Sequence, residues 1–296
     1  MTDLPNSGSP EIFSRGYRAY EGPRTGVRSG MVAVAVASIQ RAFGLRRKFR
    51  FKVVPLITIF IAYVPGVVFL GVAVLLPSEL ASEVVADYAV YYGFISISMI
   101  LLSAFVVPEV LGSDRKTGMF GITMASPLNR WQYLLSKFAA IMAVMATVTL
   151  LPLLFLLIGY SLVDLGPDGF GELIEILFNI VVSGVIFAAF FALFGMAVST
   201  LTDRPLFATA GVVMGIIASE ALSNIVADST DAPEAIRLFG LTRIPNELTV
   251  RLWGFAEDLD PLESVSNLGS FGAWLAAVVL FAVVVAVGYA RLEVTK

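Results

Sequence analysis

Glu109, Asp114, Arg115, Lys116, Arg130 and Lys137 place two carboxylates and four cations in one stretch of the chain. Charged groups of both signs so close together can brace one another or meet a polar partner surface. Most of them fall in the run SDRKTGMFGITMASPLNRWQYLLSK, Ser113 to Lys137, which also carries two glycines and a proline. It lies between two long apolar runs and looks like neither. One further acid, Glu220, stands inside an apolar run of its own.

The residue types that are missing narrow the chemistry. The chain has no Cys and no His, which excludes thiol catalysis, zinc sites built from those residues, haem ligation by His and Ser-His-Asp triads. No catalytic residue and no metal site is therefore assigned. There is also no G-x-x-x-x-G-K-[ST] phosphate loop, so the chain is expected to bind no ATP through such a motif and to hold no cofactor directly.

The elements that must position these charges follow from composition. With 57% hydrophobic and 15% charged residues and a mean hydropathy of +0.85, the chain reads as an integral membrane protein. Six runs are long enough to cross a hydrocarbon core of about 30 Å. They are Val53–Leu76, Tyr88–Pro108, Phe138–Val163, Leu173–Ser199, Leu206–Val226 and Phe271–Ala290. None alternates with period two, and backbone groups in lipid must bond internally, so the fold class is all-α with six transmembrane helices. Pro55, Pro65 and Pro152 lie in or near the ends of spans and predict kinks.

Seventeen of the 20 Lys and Arg residues fall on one side of this arrangement; only Arg237, Arg243 and Arg251 fall on the other. The positive-inside rule then makes both termini cytoplasmic, and the net charge of −3 conceals an orientation signal with no nucleic-acid partner implied. Residues 1–30, with Pro5, Pro10 and Pro23, read as a mobile cytoplasmic tail. Residues 31–52 end in Arg46, Arg47, Lys48, Arg50 and Lys52 and are too short to span. Two readings fit them: an amphipathic interfacial helix before the first span, or a stop-transfer basic cluster of no special shape. Residues 53–296 form the six-helix domain. Within its outer loop, 227–270, the run PEAIRLFGLTRIPNELTVRLWGF, 233–255, is expected to form short helices on or dipping into the outer leaflet, with an accessory-protein docking site as the alternative.

Within the charged segment, Ser113 or Asp114 is expected to cap a short helix with Met119, Phe120, Ile122 and Met124 on its apolar side. Gly118 and Gly121 each weaken it by about 1 kcal/mol relative to Ala, so it should be short and need a partner. Ser126 and Pro127 then suit an N-cap and first helical position, which starts the third helix well before the membrane. Arg130, Leu134 and Lys137 share one face of it.

The run PEVLGSDRKTGMFGITMASPLNRWQYLLSKFAAI, followed by TVTLLPLLFLLIGY, resembles the cytoplasmic-loop signature of ABC-2-type ABC transporter permeases. The matching elements are Glu109 at the end of the second span, Asp114-Arg115-Lys116, Pro127-Leu128-Asn129-Arg130 and Lys137; Asn129 replaces the usual Ser, and Gly118 and Gly121 replace a leucine-rich stretch. The resemblance implies a permease that exports or flops a substrate across the cytoplasmic membrane of a prokaryote. It implies a second permease copy and separate ABC ATPase subunits that hold ATP and Mg. It implies that 109–137 is the coupling segment, with Glu109, Asp114, Arg115, Lys116, Arg130 and Lys137 as polar contacts or braces and Met119, Phe120 and Ile122 as an apolar plug. Taken singly, Lys116 and Lys137 are read as positive-inside anchors, and Glu109 as meeting water or pairing with Arg115 or Arg130.

Small residues repeat every four positions at Gly184, Ala188 and Ala192, and at Gly211, Gly215 and Ser219, which lets helix backbones approach closely, within one subunit or at a dimer seam. Glu220 should face protein or water, either lining or gating a pathway or paired with a hydroxyl or amide. The competing reading is an ion- or proton-coupled secondary transporter that uses Glu220. It would need more intramembrane ionisable sites than this chain offers.

Overall fold

The computed structural model describes residues 26–45, 47–76, 88–126, 128–229, 233–254 and 262–291. Most of the tail expected over 1–30, together with Arg46, Pro127, residues 77–87 and parts of the expected outer loop at 227–270, lies outside them. Among the described residues every regular element is helical. Six helices or helix pairs are long and apolar enough to cross a membrane: Val53–Leu75, Tyr88–Arg115, Arg130–Leu162, Phe170–Thr200, Pro205–Ser229 and Asn267–Ala290. The expected fold class is the observed one.

Helix α1, Val27–Ala42, starts four residues before the expected interfacial helix and packs on the third span. The chain then reverses at Gly44, where φ is +63° and a Cβ would meet Phe51 O at 2.6 Å. Only glycine fits there. A 3-10 turn at Phe49–Phe51 leads into α2, Val53–Leu75. Pro65 lies inside α2, which continues through it, and a hydroxyl enters the helix beside it. Tyr91, wholly buried, donates to Ala62 O at 2.5 Å and accepts from Gly66 N at 3.1 Å. The hydroxyl thus stands between a carbonyl and the amide four residues on, next to the proline.

The second span does not end at Pro108. It runs as α3, Tyr88–Leu101, a π-helical segment at Leu102–Val106, and α4, Val107–Lys116. A wider i to i+5 turn absorbs the amide that proline lacks, so the helix continues past it. Neighbouring hydroxyls cover the turn: Thr209 Oγ1 donates to Ala104 O at 2.6 Å, and Ser103 Oγ donates to Phe191 O at 2.9 Å. Ser113 and Asp114 therefore sit inside a helix instead of capping one. The break comes at Gly118, with φ +69°, and is followed by the short α5, Met119–Met124.

The third helix starts at Arg130, later than the expected Pro127, as α6, Arg130–Thr149. Its cap is a reciprocal box: Gln132 N donates to Asn129 Oδ1 at 2.8 Å, and Asn129 N donates to Gln132 Oε1 at 3.0 Å. The N-x-x-Q spacing was the stronger local signal than Ser126, because it satisfies two orphan amides at once. Pro152 breaks the span, which resumes as α7, Leu151–Leu162.

Next come α8, Phe170–Thr200, and α9, Pro205–Ser229. A 3-10 helix at Glu234–Phe239 and α10, Arg243–Leu252, then precede α11, Asn267–Ala290. The described part of the expected outer loop is thus built of short helices, and α10 buries Ile244, Pro245, Glu247 and Thr249 against the bundle.

Helix α8 is the axis of the core. Phe187, Phe190 and Phe191 are fully buried; Phe187 stacks on Tyr92 at 5.0 Å and Phe190 meets Phe281 edge-on at 5.6 Å. Gly184 faces Leu150, where a Cβ would approach Cδ2 to 2.1 Å, and Ala188 and Ala192 are buried below it. Gly211 and Gly215 bring α9 against Val198 and Phe194 of α8, while Ser219 Oγ accepts from Leu241 N at 3.2 Å. Both small-residue stripes pack within this chain. By contrast α2, α9 and α11 leave broad apolar faces exposed, among them Phe60, Met214 and Leu280.

Candidate functional site

Two turns of α4 beyond Pro108 carry Asp114 into the bundle, where it is 6% exposed. Three donors from two other helices converge on it. Lys137 Nζ of α6 lies 2.6 Å from Oδ2, Tyr133 Oη of α6 donates to Oδ2 at 2.8 Å, and Arg41 of α1 donates to Oδ1. Arg41 also donates to Ser113 Oγ at 2.6 Å, and Lys137 donates to Val110 O at 3.1 Å. Lys137 is 2% exposed, so it is an internal brace and not the surface anchor expected of it alone. Isolated charges at this depth would cost several kcal/mol each, and the shared carboxylate is what makes the burial tolerable.

A second set of contacts ties the same end to the remaining spans. The Arg115 guanidinium lies 4.8 Å from the centre of the Tyr289 ring of α11, near the carbonyl of Ser199 at 3.4 Å and Asp203 at 3.5 Å. Arg130 Nη1 donates to Ala290 O at 2.8 Å, on the last turn of α11, where helix carbonyls lack partners. Glu109 pairs with Arg47 at 2.5 Å, and not with Arg115 or Arg130. Asp114, Arg115, Arg130 and Lys137 are thus brought together with Glu109 close by. They join α1 and the second, third, fourth and sixth spans at one end of the bundle, the end that carries most of the basic residues.

Beyond this cluster α5 projects as a six-residue helix. Met119 is 43% exposed, while the side chains of Lys116, Phe120 and Ile122 lie outside the described residues. Such an element, short, apolar and attached on both sides by turns to braced helices, can receive a push and deliver it to α4 and α6 together.

Sequence reasoning missed three participants. Arg41, Tyr133 and Tyr289 were given no role in the sequence. A usable clue was present for Tyr133: it stands four residues before Lys137, on the same helix face.

At the other end, Glu220 Oε1 accepts from Thr242 N at 2.7 Å and Thr242 Oγ1 at 2.5 Å. It thus holds the outer segment to α9 and borders a cleft of about 380 Å³ that Asn224, Arg243 and Asn246 also line. Among the described residues no group of His, Cys, Asp and Glu is arranged to hold a metal ion.

The sequence model for ABC-2 family transporter proteins matches residues 76–239, more than half of the 296-residue chain. The match runs from the second span to the 3-10 helix after α9 and contains Asp114 and its partners Tyr133 and Lys137, while Arg41, Arg47, Tyr289 and Ala290 lie outside it. The chain belongs to the ABC-2 family of transporter membrane proteins. It is a multi-pass permease subunit of an ABC-type transporter. A search of curated proteins returns no match.

Proposed function

We propose that this permease exports or flops its substrate with energy from ATP hydrolysed on separate ABC ATPase subunits, which hold the ATP and Mg. In this reading the basic end is cytoplasmic, in the plasma membrane of a prokaryote, and α5 seats in a cleft of the ATPase. Nucleotide-driven motion at α5 passes into α4 and α6, which Asp114 locks to α1, so the second and third spans move with α1 as one body. A second permease copy would cover part of the apolar surface left on α2, α9 and α11. The observation that carries the reading is the Asp114–Lys137–Arg41 cluster set behind a short helix on which Met119 is exposed. A secondary transporter built on Glu220 has less support, because that carboxylate is already committed to Thr242.

The test targets α5 and spares the braces. Reversing Arg115 would also break its contacts with Tyr289 and Ser199, whereas Met119 is exposed and its replacement should change stability by no more than about 0.5 kcal/mol. Met119→Asp combined with Phe120→Ala is expected to yield a folded, inserted protein that still melts near the wild-type temperature. Reconstituted with its ATPase, the variant should lose transport-coupled turnover. Full coupled turnover would overturn the proposal.

A further inference from the structure

We propose that the crevice between α1, the 49–51 turn and the middle of the second span binds the phosphate of an anionic phospholipid, with Arg47 as its main ligand. From Gly26 to Leu76 the chain holds seven Lys or Arg residues and no Asp or Glu. Two carboxylates from the second span are all that the described structure offers these cations. Asp114 is shared between Arg41 and Lys137, and Glu109 is taken by Arg47. Neither Lys48 nor Lys52 has a carboxylate partner among the described residues. Positive charge is left over at the depth where α2 enters the hydrocarbon.

The crevice has the two-ended character that a lipid needs. About 140 Å³ in size, it has Arg41, Arg47 and Glu109 at its polar mouth and Val54, Pro55 and Phe105 along an apolar wall. That is room for a phosphate with its ester linkages, while the acyl chains follow the exposed apolar face of α2, where Leu56 is 58% exposed and Phe60 68%. Arg47 is one-third exposed, commits only Nη1 to Glu109, and is held by the Phe51 ring at 4.8 Å. Its Nε and Nη2 edge is the planar fork that binds phosphate oxygens in pairs. Phe49, 72% exposed beside it, is placed to enter the leaflet.

Glu109 competes with the lipid phosphate for the same guanidinium. A lipid would therefore loosen the Arg47–Glu109 link to α4, and leaflet charge would set how firmly α1 is held. This inference stands apart from the identity of the energy source, because it concerns the permease alone.

The test is thermal unfolding of the full purified chain in detergent with added phosphatidylglycerol, phosphatidylcholine or inorganic phosphate. Phosphatidylglycerol alone is expected to raise the melting temperature. The triple variant Arg47→Gln, Lys48→Gln, Lys52→Gln should need on the order of a hundredfold more of it, at about fivefold for each basic residue removed from an anionic surface. Val54→Trp fills the crevice without changing charge and should abolish the shift. Arg237→Gln, at the far end, should leave it intact. Equal protection by phosphatidylcholine, or by inorganic phosphate, would overturn the site. So would a full shift in Val54→Trp, since the attraction would then be that of a diffuse basic surface.

Discussion

Asp114→Asn should be the most damaging single substitution at the basic end, costing about 3–5 kcal/mol, because it strands two cations that share one carboxylate. Lys137 is 2% exposed and, among the described residues, has only Val110 O as a further hydrogen-bond acceptor. Asparagine keeps the shape but replaces one oxygen with a donor that faces other donors. Lys137→Met should cost less, since Asp114 keeps Arg41 and Tyr133. The double variant Asp114→Asn, Lys137→Met should be more stable than Asp114→Asn alone, because the stranded ammonium is gone. Denaturant titration of the four proteins in mixed micelles measures the coupling as a double-mutant cycle. Additive losses would mean that the two side chains do not act as a pair. As a scale, the exposed Arg237–Asp228 pair at 2.7 Å should contribute no more than about 1 kcal/mol.

The second large effect is expected in the outer segment. Glu247 is 2% exposed, and its Oε1 accepts from Arg251 Nε at 2.9 Å, Arg251 Nη2 at 2.8 Å and Leu262 N at 3.0 Å. Arg251 continues the chain of contacts to Asn267 at 2.9 Å, on the first turn of α11. One carboxylate thus fastens α10 to the start of the last span. Glu247→Gln should raise amide exchange across Arg243–Leu252 by a hundredfold or more, from roughly 3 kcal/mol of lost local stability. The six spans should keep their protection, since none of them depends on this clamp. Unchanged exchange in α10 would show that packing of Ile244 and Pro245 holds it without the clamp.

These two networks also show where sequence reading stops. The spans were legible because an apolar run of about 20 residues has few uses other than crossing lipid. Their ends were not. Pro108 looked like a terminus because the local rule for proline holds in an ordinary helix, and nothing in the local pattern announces the π-helical segment that suspends it. Asn129 was passed over for Ser126 because a good capping residue next to a proline outweighed the glutamine three positions later.

The family signature around Glu109, Asp114 and Lys137 was visible in residue types and order, yet the partners were not. Arg41 and Asp114 lie 73 positions apart in sequence, and only the packing of α1 on α6 brings them together. Lys137 was misjudged for the same reason. A lysine at the membrane edge is usually an anchor, and its burial is a property of the neighbours.

The central claim is that α5 meets the ATPase on the side where the basic residues gather. The chain has no native cysteine, so one introduced thiol reports without background. Thr123→Cys on α5 and Asp168→Cys in the connection before α8 should be prepared in sealed vesicles together with the ATPase. Thr123→Cys should be cross-linked to the ATPase by a short thiol-to-amine reagent and remain closed to an impermeant thiol probe from outside. Asp168→Cys should react with the outside probe and give no cross-link. The reverse pattern, with Asp168→Cys joined to the ATPase and Thr123→Cys labelled from outside, would contradict both the orientation and the coupling role.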